Sequence, residues 1–165
     1  MNSQNEEMAL SPVQPFSGQR VQRISRLASK EKNKFINPKT KIKLGNWNVR
    51  TLHQEGKLEQ LTTAFDEYEL DICALTETRL TGFEKRELHE GKILLLSGRD
   101  DGYHYQGVGL LLNKQAGQAL DEWEPVDERI MYARLKSSHG NMSILVCYAP
   151  TNEADYNRKD SFYTR

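Results

Sequence analysis

A stripe of apolar residues at helical spacing lies between two short apolar runs, and this arrangement limits the fold more than any other feature. Leu58, Leu61, Ala64, Phe65 and Tyr68 recur at three- and four-residue steps, which predicts a helix with one buried face. All five are read as core. Upstream, Ile42-Lys43-Leu44, Trp47 and Val49 alternate like a half-buried strand, with order beginning near Lys41. Downstream, Asp71 opens the run Ile72-Cys73-Ala74-Leu75. A strand–helix–strand unit of this kind normally joins parallel strands, or places them in one sheet.

The rest of the chain reads as further strands joined by turns. Ile93 to Leu96 and the stretch from Gly107 to Asn113 are apolar enough for buried strands. Gly107 and Gly109 inside the latter suggest a bulge or close backbone packing. They do not form a phosphate-binding loop, because no Gly-Lys-Ser/Thr follows and no helix opens there. Residues 81–91 are charged and read as an irregular connection or short helix with an exposed His89. Residues 97–106 read as a polar loop around Asp100-Asp101-Gly102, and another loop runs through Pro125. Residues 129–136 alternate with period two, and His139-Gly140 marks a hairpin turn. Met142 to Tyr148 reads as a buried strand that stops at Ala149-Pro150, and a helix is expected to open in residues 152–165. There is no internal repeat. The pattern predicts a mixed α/β (α+β) fold.

The formal net charge of zero conceals an asymmetry. Residues 1–44 carry nine Lys/Arg and three acids, residues 45–165 fourteen Lys/Arg and twenty acids. Residues 1–40 are rich in Ser, Gln, Asn and Lys and poor in aliphatics, so they are expected to form a disordered basic arm. Arg20, Arg23, Arg26, Lys30, Lys32 and Lys34 make it either a holder of nucleic-acid phosphates or a solubilising tail. Residues 41–165 form the ordered unit. Cys73 and Cys147 both lie in apolar runs and read as buried thiols in a reducing compartment, with a disulfide between adjacent strands as the alternative. No apolar stretch approaches the roughly 18 residues of a membrane helix, and the N-terminus lacks a secretory apolar core. A nuclear or cytoplasmic protein, neither secreted nor membrane-bound, is expected.

Three polar residues end three of the apolar strands: Asn48, Glu77 and Tyr148. Ligands commonly gather on the loop edge of a sheet. Glu77 offers a hard oxygen suited to Mg²⁺, which is usually held by one or two carboxylates plus substrate phosphates. By spacing alone the commoner reading is a solvated carboxylate at a strand end, since exposed Glu is the norm. Asn48 offers both a donor and an acceptor, and Tyr148 a hydroxyl that can donate to a phosphate oxygen.

Four stretches carry a resemblance to a known family. They are Gly45-Asn46-Trp47-Asn48-Val49-Arg50-Thr51-Leu52, Leu75-Thr76-Glu77-Thr78-Arg79-Leu80, Gly107-Val108-Gly109-Leu110-Leu111-Leu112 and Val146-Cys147-Tyr148-Ala149-Pro150-Thr151-Asn152. In order and spacing they resemble the endonuclease/exonuclease/phosphatase superfamily. Within it they look most like the endonuclease domains of non-LTR retrotransposons and craniofacial-development-protein-two-like sequences. The resemblance covers about residues 41–165. It implies a four-layer α/β-sandwich and a phosphodiester hydrolase dependent on Mg²⁺, with Mn²⁺ as a substitute, acting on DNA through its phosphates. By position, Glu77 matches the metal-binding glutamate, Asn48 the asparagine that orients metal or attacking group, and Tyr148 the tyrosine near the scissile phosphate. Arg129 lies where members often carry an arginine; it either contacts a phosphate or pairs with Asp127 or Glu128.

The resemblance also implies what is missing. The family's Gly-Asp-x-Asn and Ser-Asp-His motifs follow the Tyr-Ala-Pro segment and are not found here. They supply the remaining carboxylates and the base that activates water. The expectation is therefore an incomplete sandwich, truncated at its C-terminal side, from a retrotransposon-derived DNA endonuclease. A non-catalytic relic or nucleic-acid-binding fragment is the alternative, and a phosphatase or phospholipase of the same superfamily a third reading. Protein partners are not legible.

Overall fold

The computed structural model describes residues 22–23, 35–37, 39 and 41–164. In chain order the strands β1 (Gln22–Arg23) and β2 (Leu44–Asn48) precede helix α1 (Lys57–Glu67) and β3 (Ile72–Thr76). Then come β4 (Phe83–Glu87), a short 3₁₀ turn (His89–Gly91), β5 (Ile93–Ser97) and β6 (Val108–Leu112). Helix α2 (Lys114–Ala119), β7 (Leu120–Pro125), β8 (Ile130–Ser137), β9 (Gly140–Cys147) and α3 (Tyr156–Tyr163) complete the order. Two sheets result, with strand orders β2-β3-β6-β5-β4 and β1-β7-β8-β9. The first crossover is parallel, as expected: Leu44 pairs with Ile72 and Asn48 with Thr76.

Side-chain alternation explains the layering. On β3, Cys73 and Leu75 point to α1 and pack with Leu61 and Phe65, while Ile72 joins the core between the two sheets. The same division separates Leu94 and Leu96 from Ile93 and Leu95 on β5. The five-stranded sheet is thus covered on both faces, which is why its central strands read as unbroken apolar runs. The four-stranded sheet buries one face: Met131, Ala133 and Leu135 of β8 point inward, together with Trp123 of β7. The described residues form an α/β sandwich of helix, sheet and sheet. Each fully buried Leu or Met side chain contributes about 1.5–3 kcal/mol relative to exposure. No helix among the described residues is long and apolar enough to cross a membrane.

Several expectations are corrected. Residues 83–87 form a strand rather than an irregular connection; β4 pairs with β5 as an outer strand of the sheet, and its charged residues include the Glu84–Arg86 ion pair at 2.7 Å. Charge on an edge discourages pairing with other chains, and it also hides the strand from a search for apolar alternation. The loop expected before Pro125 contains α2 and β7. A register shift between Leu120 and Glu122 places buried Leu120 and Trp123 three apart, which breaks the period of two. Strand β9 is not wholly buried: Leu145 is 62% exposed, and Cys147 is exposed although Cys73 is buried as expected. Tyr68 caps the C-terminal end of α1 in the open and is not core.

Most of residues 1–40, read as a disordered basic arm, lies outside the described residues. Of the described part, Gln22–Arg23 pairs antiparallel with β7, Phe35 is buried and the Ile36 carbonyl accepts from the Ser137 hydroxyl at 3.0 Å.

Candidate functional site

The parallel register of β2 and β3 ends with Asn48 opposite Thr76, so Glu77 emerges one residue beyond the sheet beside the Asn48 side chain. The loop that carries Glu77 is tied down on both sides. Val49 and Leu52 donate backbone bonds to the Thr76 and Thr78 carbonyls, at 3.0 and 2.8 Å. Thr78 and Arg79 donate to the carbonyls of Gly107 and Gln106, at 3.1 and 2.8 Å. Gly107 is required here: its φ is +88°, and a Cβ would lie 2.3 Å from the Thr78 hydroxyl. At Gly109 a Cβ would lie 3.0 Å from the Leu95 carbonyl, so the second glycine serves close strand packing.

Among the described residues, six non-glycine residues adopt positive φ, and four of them are Arg50, Glu77, Arg79 and Gln106, in these adjoining loops. A non-glycine residue held in the left-handed region costs about 1–3 kcal/mol, and such residues concentrate where geometry is imposed for function.

The three strand-end residues converge. The Asn48 amide donates to Oε1 of Glu77 at 2.7 Å, and the Tyr148 hydroxyl donates to the same oxygen at 2.9 Å. Arg79 approaches the other oxygen at 3.3 Å. The Glu77 side chain stays 21% exposed, so the carboxylate faces solvent from a framed position. Its pKa is held below the usual carboxylate range, chiefly by the Asn48 bond; burial opposes this, and the Tyr148 and Arg79 contacts each lower it further by less. The Tyr148 phenol is pushed up, first by burial and then by the adjacent Glu77 charge. The two shifts agree: near neutral pH the carboxylate is ionised and the phenol keeps the proton it donates.

Arg129 enters through Tyr148. Its guanidinium donates to the Tyr148 carbonyl at 2.9 Å and lies 5.2 Å from the ring centroid. Asp127 shapes the same turn by accepting from the backbone N–H groups of Arg129 and Ile130, at 2.6 and 2.9 Å. Arg129 thus braces the tyrosine from behind.

Residues that the sequence reading did not single out complete the rim. The His104 ring donates from Nδ1 to the Arg79 carbonyl at 2.9 Å, since a carbonyl can only accept. His53 stacks on it with centroids 3.8 Å apart. Arg79 also lies 6.0 Å over the Tyr105 ring. These contacts join segments with no shared sequence pattern, so only the fold reveals them.

The donor set suits a hard cation. Glu77 supplies one ionised carboxylate, the Asn48 amide oxygen accepts from the Arg50 backbone N–H at 3.1 Å, and among the described residues no group of three or more His, Cys, Asp or Glu could hold a metal. A lone carboxylate differs from the closed four-ligand cages of structural zinc and could hold Mg²⁺ only together with waters and substrate phosphates.

No family model matches this sequence. A distant relative does. The chain is 26% identical over 136 residues to craniofacial development protein 2 of Tragulus javanicus, a stretch covering 82% of this chain and 23% of that protein. The Bos taurus craniofacial development protein 2 is likewise 26% identical, over 120 residues that cover 73% of this chain and 20% of the relative. The chain therefore spans less than a quarter of the length of the curated relatives it matches.

Proposed function

We propose that this rim is the metal- and phosphate-holding part of a Mg²⁺-dependent phosphodiester hydrolase of the endonuclease/exonuclease/phosphatase type, acting on DNA and derived from a retrotransposon endonuclease. The observation that carries the reading is the meeting of the Asn48 amide and the Tyr148 phenol on one oxygen of Glu77. Strands distant in sequence are brought together there around a single ionised carboxylate. The distant similarity to craniofacial development protein 2 supports it.

In this reading Glu77 holds the cation. The bound ion supplies charge stabilisation for a phosphoryl oxygen as negative charge grows in the transition state. Asn48 and Tyr148 keep the carboxylate ionised and oriented, and their donors lie where a phosphate oxygen can share them. Arg129 fixes the Tyr148 ring and backbone, so the phenol needs no reorganisation when substrate arrives.

Supercoiled plasmid incubated with the chain and Mg²⁺ tests this. Wild type converts it to nicked circles, EDTA stops the reaction, and Glu77→Ala lowers the rate roughly a hundredfold or more. Equal nicking by the variant and wild type overturns the role of Glu77.

A second reading, nucleic-acid binding without cleavage, is favoured by one observation. Of Asn48, Glu77 and Tyr148 the Glu77 carboxylate is the one base, and once it holds a cation none of the three is left to take a proton from water. Salt-dependent DNA binding with no Mg²⁺-dependent nicking would establish it.

A further inference from the structure

A cleft of about 560 Å³ opens beside the rim, between the loop before β6, the turn joining β7 to β8, and α3. Its volume falls within the range of pockets that enclose a small organic group. Tyr105 and Phe162 line it together with Arg129, Arg158, Arg99 and Glu128. Tyr105 is 67% exposed, and Phe162 is half-buried on an otherwise solvated helix. Arg99 is engaged by Asp101, and Arg158 lies 3.3 Å from Asp155 at the start of its helix.

Two chains of contact lead from Glu77 into this cleft. One runs through Arg79, which touches Glu77 and lies over the Tyr105 ring. The other runs through Tyr148 to Arg129, which lines the cleft. Arg79 and Arg129 thus link the Glu77 carboxylate to residues that line the cleft.

We infer that the cleft holds one unpaired nucleotide adjacent to the phosphate at Glu77, so the substrate class is single-stranded or locally unpaired nucleic acid. This rests on the phosphodiester reading of the rim. Tyr105 and Phe162, the latter edge-on to Tyr163 with centroids 5.1 Å apart, each bring a ring on which any base can stack, and the Arg129 guanidinium can hold the flanking phosphate. A base inside a duplex presents only its edges in the grooves, and its faces become available only when it leaves the stack. Lipid and inositol headgroups carry no aromatic face and leave Tyr105 and Phe162 without a role. Glu128 is the one carboxylate lining the cleft, and it can accept from an exocyclic amino group of the base.

Fluorescence anisotropy with labelled DNA tests this on the full 165-residue chain in Mg²⁺. The probes are a short single strand, the same strand with abasic sites, and its duplex. Wild type binds the base-bearing strand roughly tenfold or more tighter than the other two. Tyr105→Ala and Phe162→Ala weaken that binding roughly 5- to 150-fold and leave the abasic strand nearly unchanged, while Tyr105→Trp retains wild-type affinity. Equal affinity for base-bearing and abasic strands overturns the inference, as does equal weakening of both strands by the alanine variants. Glu77→Ala separates the two readings. If it leaves the Mg²⁺ dependence of binding intact, the rim assignment fails, whereas the difference between base-bearing and abasic strands decides the cleft alone.

Discussion

Glu77 receives two neutral hydrogen bonds on one oxygen and pairs with the Arg79 guanidinium at 3.3 Å through the other, and all three favour its charged form. Its partner Tyr148 is tuned in the opposite direction, and the pair can be tested by titration. NMR of ring-labelled tyrosine will find Tyr148 ionising above the ordinary phenol value of 10.0. In Glu77→Gln it falls part of the way back, because the burial that contributes most to the shift remains. No change in the variant would contradict the hydrogen bond. The stability consequences have definite signs. The depressed Glu77 pKa contributes stability above the ordinary carboxylate value of 4.5, lost as pH falls through the lower folded value. The raised Tyr148 pKa contributes stability below 10.0, lost as pH rises through the higher folded value. Glu77→Gln therefore flattens both limbs of the pH–Tm profile. Asn48, Glu77 and Tyr148 could be singled out from sequence because each is a polar group at the end of a strand. The bracing role of Arg129 could not, since it depends on the Tyr148 carbonyl and ring rather than on a neighbouring carboxylate.

At the scale of elements, the site depends on how β6 begins. Gly107 receives the Thr78 N–H on its carbonyl and donates its own N–H to the Glu128 carbonyl at 3.0 Å. One residue thus connects the Glu77 loop to the turn that carries Arg129. Gly107→Ala places a Cβ against the Thr78 hydroxyl at positive φ, and it should destabilise the fold by about 1–3 kcal/mol. Urea unfolding measures the loss, and an unchanged midpoint would show that the contact is slack. The elements legible in sequence were those that packing decides. β3, β5 and β6 are buried on two faces, and the α1 stripe supplied Leu61 and Phe65 to the core. The elements that escaped reading were those with competing local rules. In β4 the charged residues of an edge replace apolar alternation, and in β7 a bulge shifts the phase. Helix α2 has only six residues, and its clearest signal is the Asn113 side chain accepting from the Ala116 N–H at 2.9 Å.

At the scale of the whole molecule, the charge asymmetry between residues 1–44 and the remainder bears on binding. If Lys30, Lys32 and Lys34 hold DNA phosphates, their joint replacement by Gln lowers the slope of log affinity against log salt by up to about 3, near 0.9 per lost contact. An unchanged slope identifies the stretch as a tail with no binding role. The sandwich brings together strand ends from both sheets, and every proposed role depends on that convergence at Glu77. Paramagnetic broadening by Mn²⁺, read by NMR in the presence of a short DNA strand, tests it most directly. Substoichiometric Mn²⁺ should first broaden resonances of Asn48, Glu77 and Tyr148, and Glu77→Gln should abolish this. Broadening centred elsewhere, or unaltered in Glu77→Gln, would contradict it.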